Sequence, residues 1–118
     1  PTGNAARGTS SAPSPTAWNL DLTQGGQSRA ELIAETGRGL LVTSMIGSTI
    51  NPNTGDYSRG AAGFWIENGE IAYPVSGVTL AGNLREMLLS LTPANDARPW
   101  LSRVVPSLRV EGLTLAGE

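Results

Sequence analysis

Phe64-Trp65-Ile66-Glu67-Asn68-Gly69-Glu70-Ile71-Ala72-Tyr73 is the stretch on which the fold class turns. Asn-Gly between two apolar runs takes the positive φ values of a type I′ turn, whose twist matches that of its flanking strands. With Asn68 and Gly69 as a two-residue loop, Glu67 faces Glu70, Ile66 faces Ile71, Trp65 faces Ala72 and Phe64 faces Tyr73. One face of the hairpin then carries Phe64, Ile66, Ile71 and Tyr73, a stripe expected to point into the core. The other carries Trp65, Ala72, Glu67 and Glu70.

Working outward, Gly39 to Ile46 (GLLVTSMI) is a continuous apolar run with a β-branched residue and reads as a buried strand. Asn51-Pro52-Asn53-Thr54-Gly55 is turn chemistry between that run and the hairpin. Ser28 with Glu31 forms a capping box for a short helix with Leu32 and Ile33 on its apolar side, stopped at Gly37. Asn83 caps a second helix, with Glu86 three residues on and Leu84, Met87, Leu88 and Leu91 along one face; Pro93 ends it. Trp18 to Leu22, Val78 to Leu80, Trp100 to Val105 and Ser107 to Leu115 read as further strands, the last with a bulge at Gly112 where the alternation changes phase. Residues 1–16, rich in Ser, Pro, Gly and Thr, read as a loop or linker from a missing N-terminal region. Residues 17–118 read as a single β-rich domain. The expected fold is therefore α+β and β-dominated, an antiparallel sheet or partly open barrel with two short helices.

Composition narrows the chemistry. A chain of 118 residues fits one core, with 15 Gly and 8 Pro for many turns. No run approaches eighteen apolar residues, and no basic stretch followed by an apolar one opens the chain, so neither a membrane span nor a signal peptide is expected. The start at Pro1 rather than Met is expected of an excised fragment or a processed product. All eight basic residues are Arg, scattered singly among ten carboxylates, which gives no footprint for a phosphate backbone. The chain has neither Cys nor His. An ordinary zinc site and the Ser-His-Asp and Cys-His mechanisms therefore lack their donors within it. The glycines form neither a dinucleotide fingerprint nor a P-loop.

Three sets of residues stand out. Asp56-Tyr57-Ser58-Arg59 is the densest run of functional groups. It either binds a peptide or its carboxylate, with Arg59 as the bidentate donor, or is a surface Asp56–Arg59 ion pair of roughly 0–1 kcal/mol. Glu67 and Glu70 are either a proton-sharing or cation-binding pair or routine charges beside an exposed turn. Of the three tryptophans, Trp18 and Trp100 are expected in the core, whereas Trp65 lies opposite the core stripe and is a candidate contact for a partner.

Gly39-Leu-Leu-Val-Thr43, the run Asn51 to Ile71, Tyr73-Pro74-Val75, Thr79 to Leu84, Pro106 to Val110 and Leu113 to Gly117 together resemble the C-terminal part of the TldD/PmbA family. Thr2 to Ala5, with Arg7, resembles the family too. The match is to the PmbA, or TldE, branch, whose members carry the label of modulators of DNA gyrase. The resemblance implies a cytoplasmic protein several times this length, with an N-terminal α/β portion and this β-rich portion. It implies a hetero-oligomeric zinc metalloprotease, acting on unfolded peptides, in which the zinc belongs to a TldD-type partner. There an H-E-x-x-x-H helix and a C-terminal cysteine hold the metal. Near the place of that cysteine this chain offers Asp96, Arg98 and Ser102 instead. The implied role is a scaffold and interaction domain with no cofactor of its own, catalytic residues absent, and Asp56, Tyr57, Ser58, Arg59 and Trp65 as its binding residues. Two alternatives stay open: a self-sufficient homodimeric metallopeptidase with metal ligands upstream, and a non-enzymatic regulator of gyrase.

Overall fold

The computed structural model describes residues 3–117; Pro1, Thr2 and Glu118 lie outside the described residues. In chain order the elements are β1 (Ala5–Ala6), β2 (Ser14–Pro15), β3 (Leu20–Asp21), α1 (Arg29–Thr36), β4 (Gly39–Ile50), β5 (Asp56–Glu67), β6 (Glu70–Asn83), α2 (Leu84–Leu89), β7 (Thr92–Pro93), β8 (Arg103–Val104), β9 (Leu108–Arg109) and β10 (Thr114–Ala116). The fold is the expected one, β-dominated with two short helices. Its centre is a four-stranded antiparallel sheet in the order β10-β6-β5-β4, beside three two-stranded ladders, β1-β2, β3-β8 and β7-β9. Of these only β3-β8 is parallel. Within the stretch read as linker, β1 pairs with β2 and Thr16 N–H donates to the Asn4 carbonyl at 3.0 Å.

The hairpin turn forms as its chemistry dictates. Asn68 and Gly69 have φ of 54° and 75°, and Glu67 pairs with Glu70 and Ile66 with Ile71. Beyond that the register departs from expectation. Trp65 pairs with Tyr73 and Phe64 with Pro74, because β6 carries one extra residue at Ala72. The bulge moves Tyr73 to the face of Trp65 and breaks the expected stripe. Ile66 alone of the four is buried; Phe64, Ile71 and Tyr73 are exposed. A second bulge in β6 lies between Val75 and Val78. Two more lie in β4, at Thr43 and between Ile46 and Thr49. All four extra residues belong to the flanking strands, so β5 runs unbroken between two that bend around it. The strands approach closely enough that a Cβ at Gly63 would run into the Leu41 carbonyl.

The run from Gly39 was expected to be a buried strand. It is instead the edge of the sheet, half-exposed from Gly39 to Val42 and more exposed beyond, with Ile46 78% exposed. An apolar run alone cannot distinguish a central strand from an edge. The expected strand from Ser107 to Leu115 is likewise two strands, β9 and β10, which pair in different sheets across a turn at Gly112.

Both helices start where their caps place them. The Ser28 hydroxyl accepts from Glu31 N–H at 3.2 Å; the Glu31 carboxylate reaches back to that hydroxyl at 3.3 Å, not to the backbone amide. Leu32 is buried, and the end of α1 receives the hairpin: Gly69 N–H donates to the Gly37 carbonyl at 2.9 Å. Asn83 Oδ1 accepts from the amides of Arg85 and Glu86 at 3.1 and 3.4 Å. Helix α2 ends at Leu89, before Pro93, and none of its residues is buried; Leu89 is 81% exposed. Of the expected apolar face, Leu84, Met87 and Leu91 are half-buried and Leu88 is exposed; Leu89 lies outside that face.

The C-terminal segment is tied down by polar contacts. Arg109 reaches Glu35 of α1 at 3.4 Å and Glu111 at 3.6 Å. Asp96 accepts from Ser107 twice, from its amide at 2.7 Å and its hydroxyl at 2.6 Å. The core is small: among the described residues, Leu32, Ala61, Ile66, Leu80 and Ala94 are the buried apolar ones. The chain exposes 8371 Å². A compact 12.2-kDa monomer would expose about 6,000 Å² by the usual scaling. Its radius of gyration, 16.7 Å, also exceeds the roughly 13 Å typical of a compact domain of about this length.

Two outcomes follow for stability. A Cβ at Gly69 would stand 2.8 Å from the Ala34 carbonyl in a backbone with φ of 75°. Gly69→Ala should therefore cost about 2 kcal/mol or more in urea unfolding, and Asn68→Gly should be near neutral. A Gly69→Ala variant as stable as the parent would contradict the docked turn. The two Ser107 hydrogen bonds hold the Asp96 carboxyl below the ordinary aspartate range. A folded-state pKa below the unfolded one stabilises the fold above about pH 4, and that contribution is lost as pH falls through the folded value. Asp96→Asn should accordingly lower stability at pH 7, with the difference from the parent shrinking in acid. An equal difference at both pH values would show that the carboxylate charge is immaterial.

Candidate functional site

The loop before β5 is built by one asparagine. Asn51 Oδ1 accepts from the amides of Asn53 and Thr54 at 2.9 and 3.2 Å, an Asx-type turn that folds the chain back. Gly55 N–H then closes onto the Asn51 carbonyl at 2.7 Å, and Asn51 N–H donates to the Asp56 carbonyl at 2.9 Å. From the far side Asn83 Nδ2 donates to the Thr54 carbonyl at 2.8 Å, so one side chain both caps α2 and clamps this loop. These contacts fix where β5 begins and therefore which way each candidate residue points.

Strand geometry then divides the candidates. Successive side chains alternate between faces, so Tyr57 and Arg59 share one face and Asp56 and Ser58 the other. The Asp56 carboxylate is engaged by Thr54, whose hydroxyl donates to it at 2.9 Å. Arg59 Nε donates to the Gly47 carbonyl in the bulge of β4. Among the described residues no Asp56–Arg59 ion pair forms; the ion pairs are those of Arg109. Trp65 stands nine residues further along β5, about 30 Å from Asp56 at the rise of an extended strand. It is half-buried, with the Arg38 guanidinium carbon 5.6 Å from its ring centroid, a cation–π contact. The five residues thus form no single pocket. Tyr57 and Arg59 mark one end of one sheet face, and Trp65 marks the other end of that face.

The remaining tryptophans reverse expectation. Trp18 and Trp100, expected in the core, are 59% and 77% exposed. They lie in sequence next to the parallel β3-β8 pair, whose open hollow of about 260 Å³ is lined by Asn19, Leu20, Asp21, Pro99, Leu101, Ser102 and Val104, neither tryptophan among them. Sequence alone carried no signal for this, since a tryptophan beside a two-residue strand looks the same whether covered or bare. Ser102 thus borders the hollow, while Asp96 is occupied by Ser107. Glu67 and Glu70 are exposed cross-strand neighbours at the turn, with no third carboxylate gathered near them among the described residues.

The donor set does not fit a zinc centre. The chain has no His and no Cys, and among the described residues no three of its carboxylates are grouped as metal ligands would be. Carboxylate oxygens alone suit harder cations and would need several converging groups.

Comparison with known proteins places this geometry. Residues 1–117 match the model of the PmbA/TldA metallopeptidase C-terminal domain. The chain is 45% identical over 94 residues to the metalloprotease PmbA of Escherichia coli, covering 79% of this chain and 21% of that protein. It is 54% identical over 65 residues to a PmbA homolog of Haemophilus influenzae, covering 55% of this chain and 14% of that one. Among solved structures, TldE from Thermococcus kodakarensis superposes with a TM-score of 0.82 at 27% identity, covering 98% of this chain and 28% of that one. A candidate modulator of DNA gyrase from Bacteroides thetaiotaomicron superposes at 0.76 with 39% identity, covering 83% of this chain and 23% of that one. The chain spans about a fifth of the length of the Escherichia coli relative. It belongs to the PmbA/TldA metallopeptidase C-terminal domain family.

Proposed function

We propose that this domain is the non-catalytic C-terminal scaffold of a TldE-type subunit, which pairs in the cytoplasm with a zinc-bearing TldD-type subunit in a metalloprotease acting on unfolded peptides. The observation that carries this reading is a domain with the fold of a metallopeptidase family and none of that chemistry's usual donors, there being no His and no Cys in the chain. Likeness to TldE over 98% of the chain supports the branch. No helix among the described residues is long and apolar enough to cross a membrane.

On this reading the domain acts through surfaces. The face carrying Tyr57 and Arg59 at one end and Trp65 at the other is its contact surface for partner or peptide, with Ser58 on the opposite face and Asp56, also there, tied to Thr54 of the loop that sets the strand. Arg59 is suited to the task because its Nε is held by the Gly47 carbonyl, which fixes the guanidinium beside the β4 bulge.

The test uses a subunit carrying this domain together with its upstream region. Purified alone it should hold no stoichiometric zinc and have no peptidase activity, and it should gain both on pairing with a TldD-type subunit. Stoichiometric zinc with activity in the absence of that partner would favour the self-sufficient enzyme instead. Arg59→Ala should weaken partner or peptide binding about tenfold, as expected for loss of a charge-assisted hydrogen bond, with a smaller effect on folding. Unchanged co-purification and unchanged proteolysis would assign Arg59 to the bulge alone.

A further inference from the structure

The hairpin turn places a reactive dipeptide in a closed seat. Of the seven asparagines in the chain, Asn68 alone is followed by glycine, and it is exposed to water at the tip of the hairpin. A following glycine leaves the asparagine amide open to attack by its own backbone, because no Cβ hinders the approach of the next nitrogen to Asn68 Cγ. In the fold that approach is shut. Gly69 N–H donates to the Gly37 carbonyl at the end of α1 at 2.9 Å, so the attacking nitrogen keeps its proton. Asn68 and Gly69 have φ of 54° and 75°, the geometry of a type I′ turn, and ring closure needs the peptide plane between them rotated out of it. Gly69 lies so close to α1 that a Cβ would stand 2.8 Å from the Ala34 carbonyl, so the plane cannot rotate unless the turn lifts away.

We propose that Asn68 is a self-modifying site gated by the docking of the turn on α1: docked, it stays asparagine; lifted off, it converts to aspartate and isoaspartate. In the open state Gly69 N gives its proton to water and attacks Asn68 Cγ. The N–Cγ bond forms, the side-chain nitrogen takes up a proton and leaves as ammonia, and a five-membered succinimide remains. Water then opens the ring. Attack at Cγ breaks its bond to Gly69 N and yields aspartate; attack at the Asn68 backbone carbonyl carbon yields isoaspartate. One water enters and one ammonia leaves, with no oxidation or reduction. Both products set a third carboxylate beside Glu67 and Glu70, which are exposed neighbours across the turn. Aspartate still suits a type I′ turn, but isoaspartate carries an extra backbone atom and cannot close a two-residue loop in this register. A lifted turn is thereby marked irreversibly. This gating is independent of the pairing with a TldD-type subunit, and its failure would leave that reading untouched.

The intact chain, kept folded in mildly alkaline buffer and followed by peptide mapping and mass spectrometry, should lose ammonia at Asn68 at least about tenfold more slowly than a peptide spanning Phe64–Tyr73, since only the open fraction reacts. Hydrogen exchange at the Gly69 amide should be slowed by a comparable factor, because one opening frees both groups. Ser28→Ala, which removes the cap of α1, should speed the conversion about fivefold. Asn83→Ala, which loosens the far end of β5, should leave it unchanged. Molecules carrying isoaspartate should lose the Gly69 protection, whereas Asn68→Asp should keep it. Conversion in the folded chain as fast as in the peptide overturns the inference. So does a Ser28→Ala chain that converts no faster than the parent, or equal acceleration by Ser28→Ala and Asn83→Ala, which would assign the protection to the whole fold. Isoaspartate molecules whose Gly69 amide stays protected would overturn it as well.

Discussion

The hydrogen-bonded ladder on both sides of β5 is the constraint on which the rest of this domain depends. With five buried apolar residues and no large side chain fully enclosed among the described residues, hydrophobic packing is thin, and the backbone pairing of β4, β5 and β6 supplies the continuity. Register is decisive in such a sheet, because a one-residue slip sends every side chain to the opposite face. Two turns fix it. At one end the Asx turn at Asn51, braced by Asn83, sets where β5 begins; at the other, Asn68 and Gly69 set where it ends and lodge against α1. All slack is taken up by the four bulges of the neighbouring strands.

This division explains what could be read from residues alone. Asn68-Gly69, Asn51 with Gly55, Ser28 and Asn83 were legible because each acts within three or four residues, through a positive φ or a side chain bonding nearby amides. The bulges were not, since an extra residue at Ala72 or Thr43 changes pairing between strands without altering composition. Misplacing Ala72 was enough to put Tyr73 on the wrong face, whereas Phe64 and Ile71 keep the face of Ile66 and are exposed on it. Exposure was legible least of all. Whether Trp18 and Trp100 are covered depends on what stacks against two short ladders, which the local pattern does not contain.

The candidate site shows the same limit. Asp56 to Arg59 were singled out as a cluster by their chemistry, but a strand separates neighbours in sequence to opposite faces, and Thr54 rather than Arg59 meets Asp56. On one face of β5, Arg59 is anchored in the β4 bulge and Trp65 lies beneath Arg38. The family was legible because the run from Asn51 to Ile71 is long and ordered around these same turns. The chain has neither His nor Cys and still has the fold of this metallopeptidase C-terminal domain family, as expected if the turns and the ladder carry the shared architecture.

Amide hydrogen exchange resolved along the chain tests the central role of β5 most directly. Ala61 to Ile66, bonded on both sides, should exchange most slowly, opening only with global unfolding, while α2 and the β3-β8 pair exchange through local opening. If the β5 amides exchanged as fast as those of α2, or if β3-β8 proved the slowest region, the ladder would not be what holds this domain together.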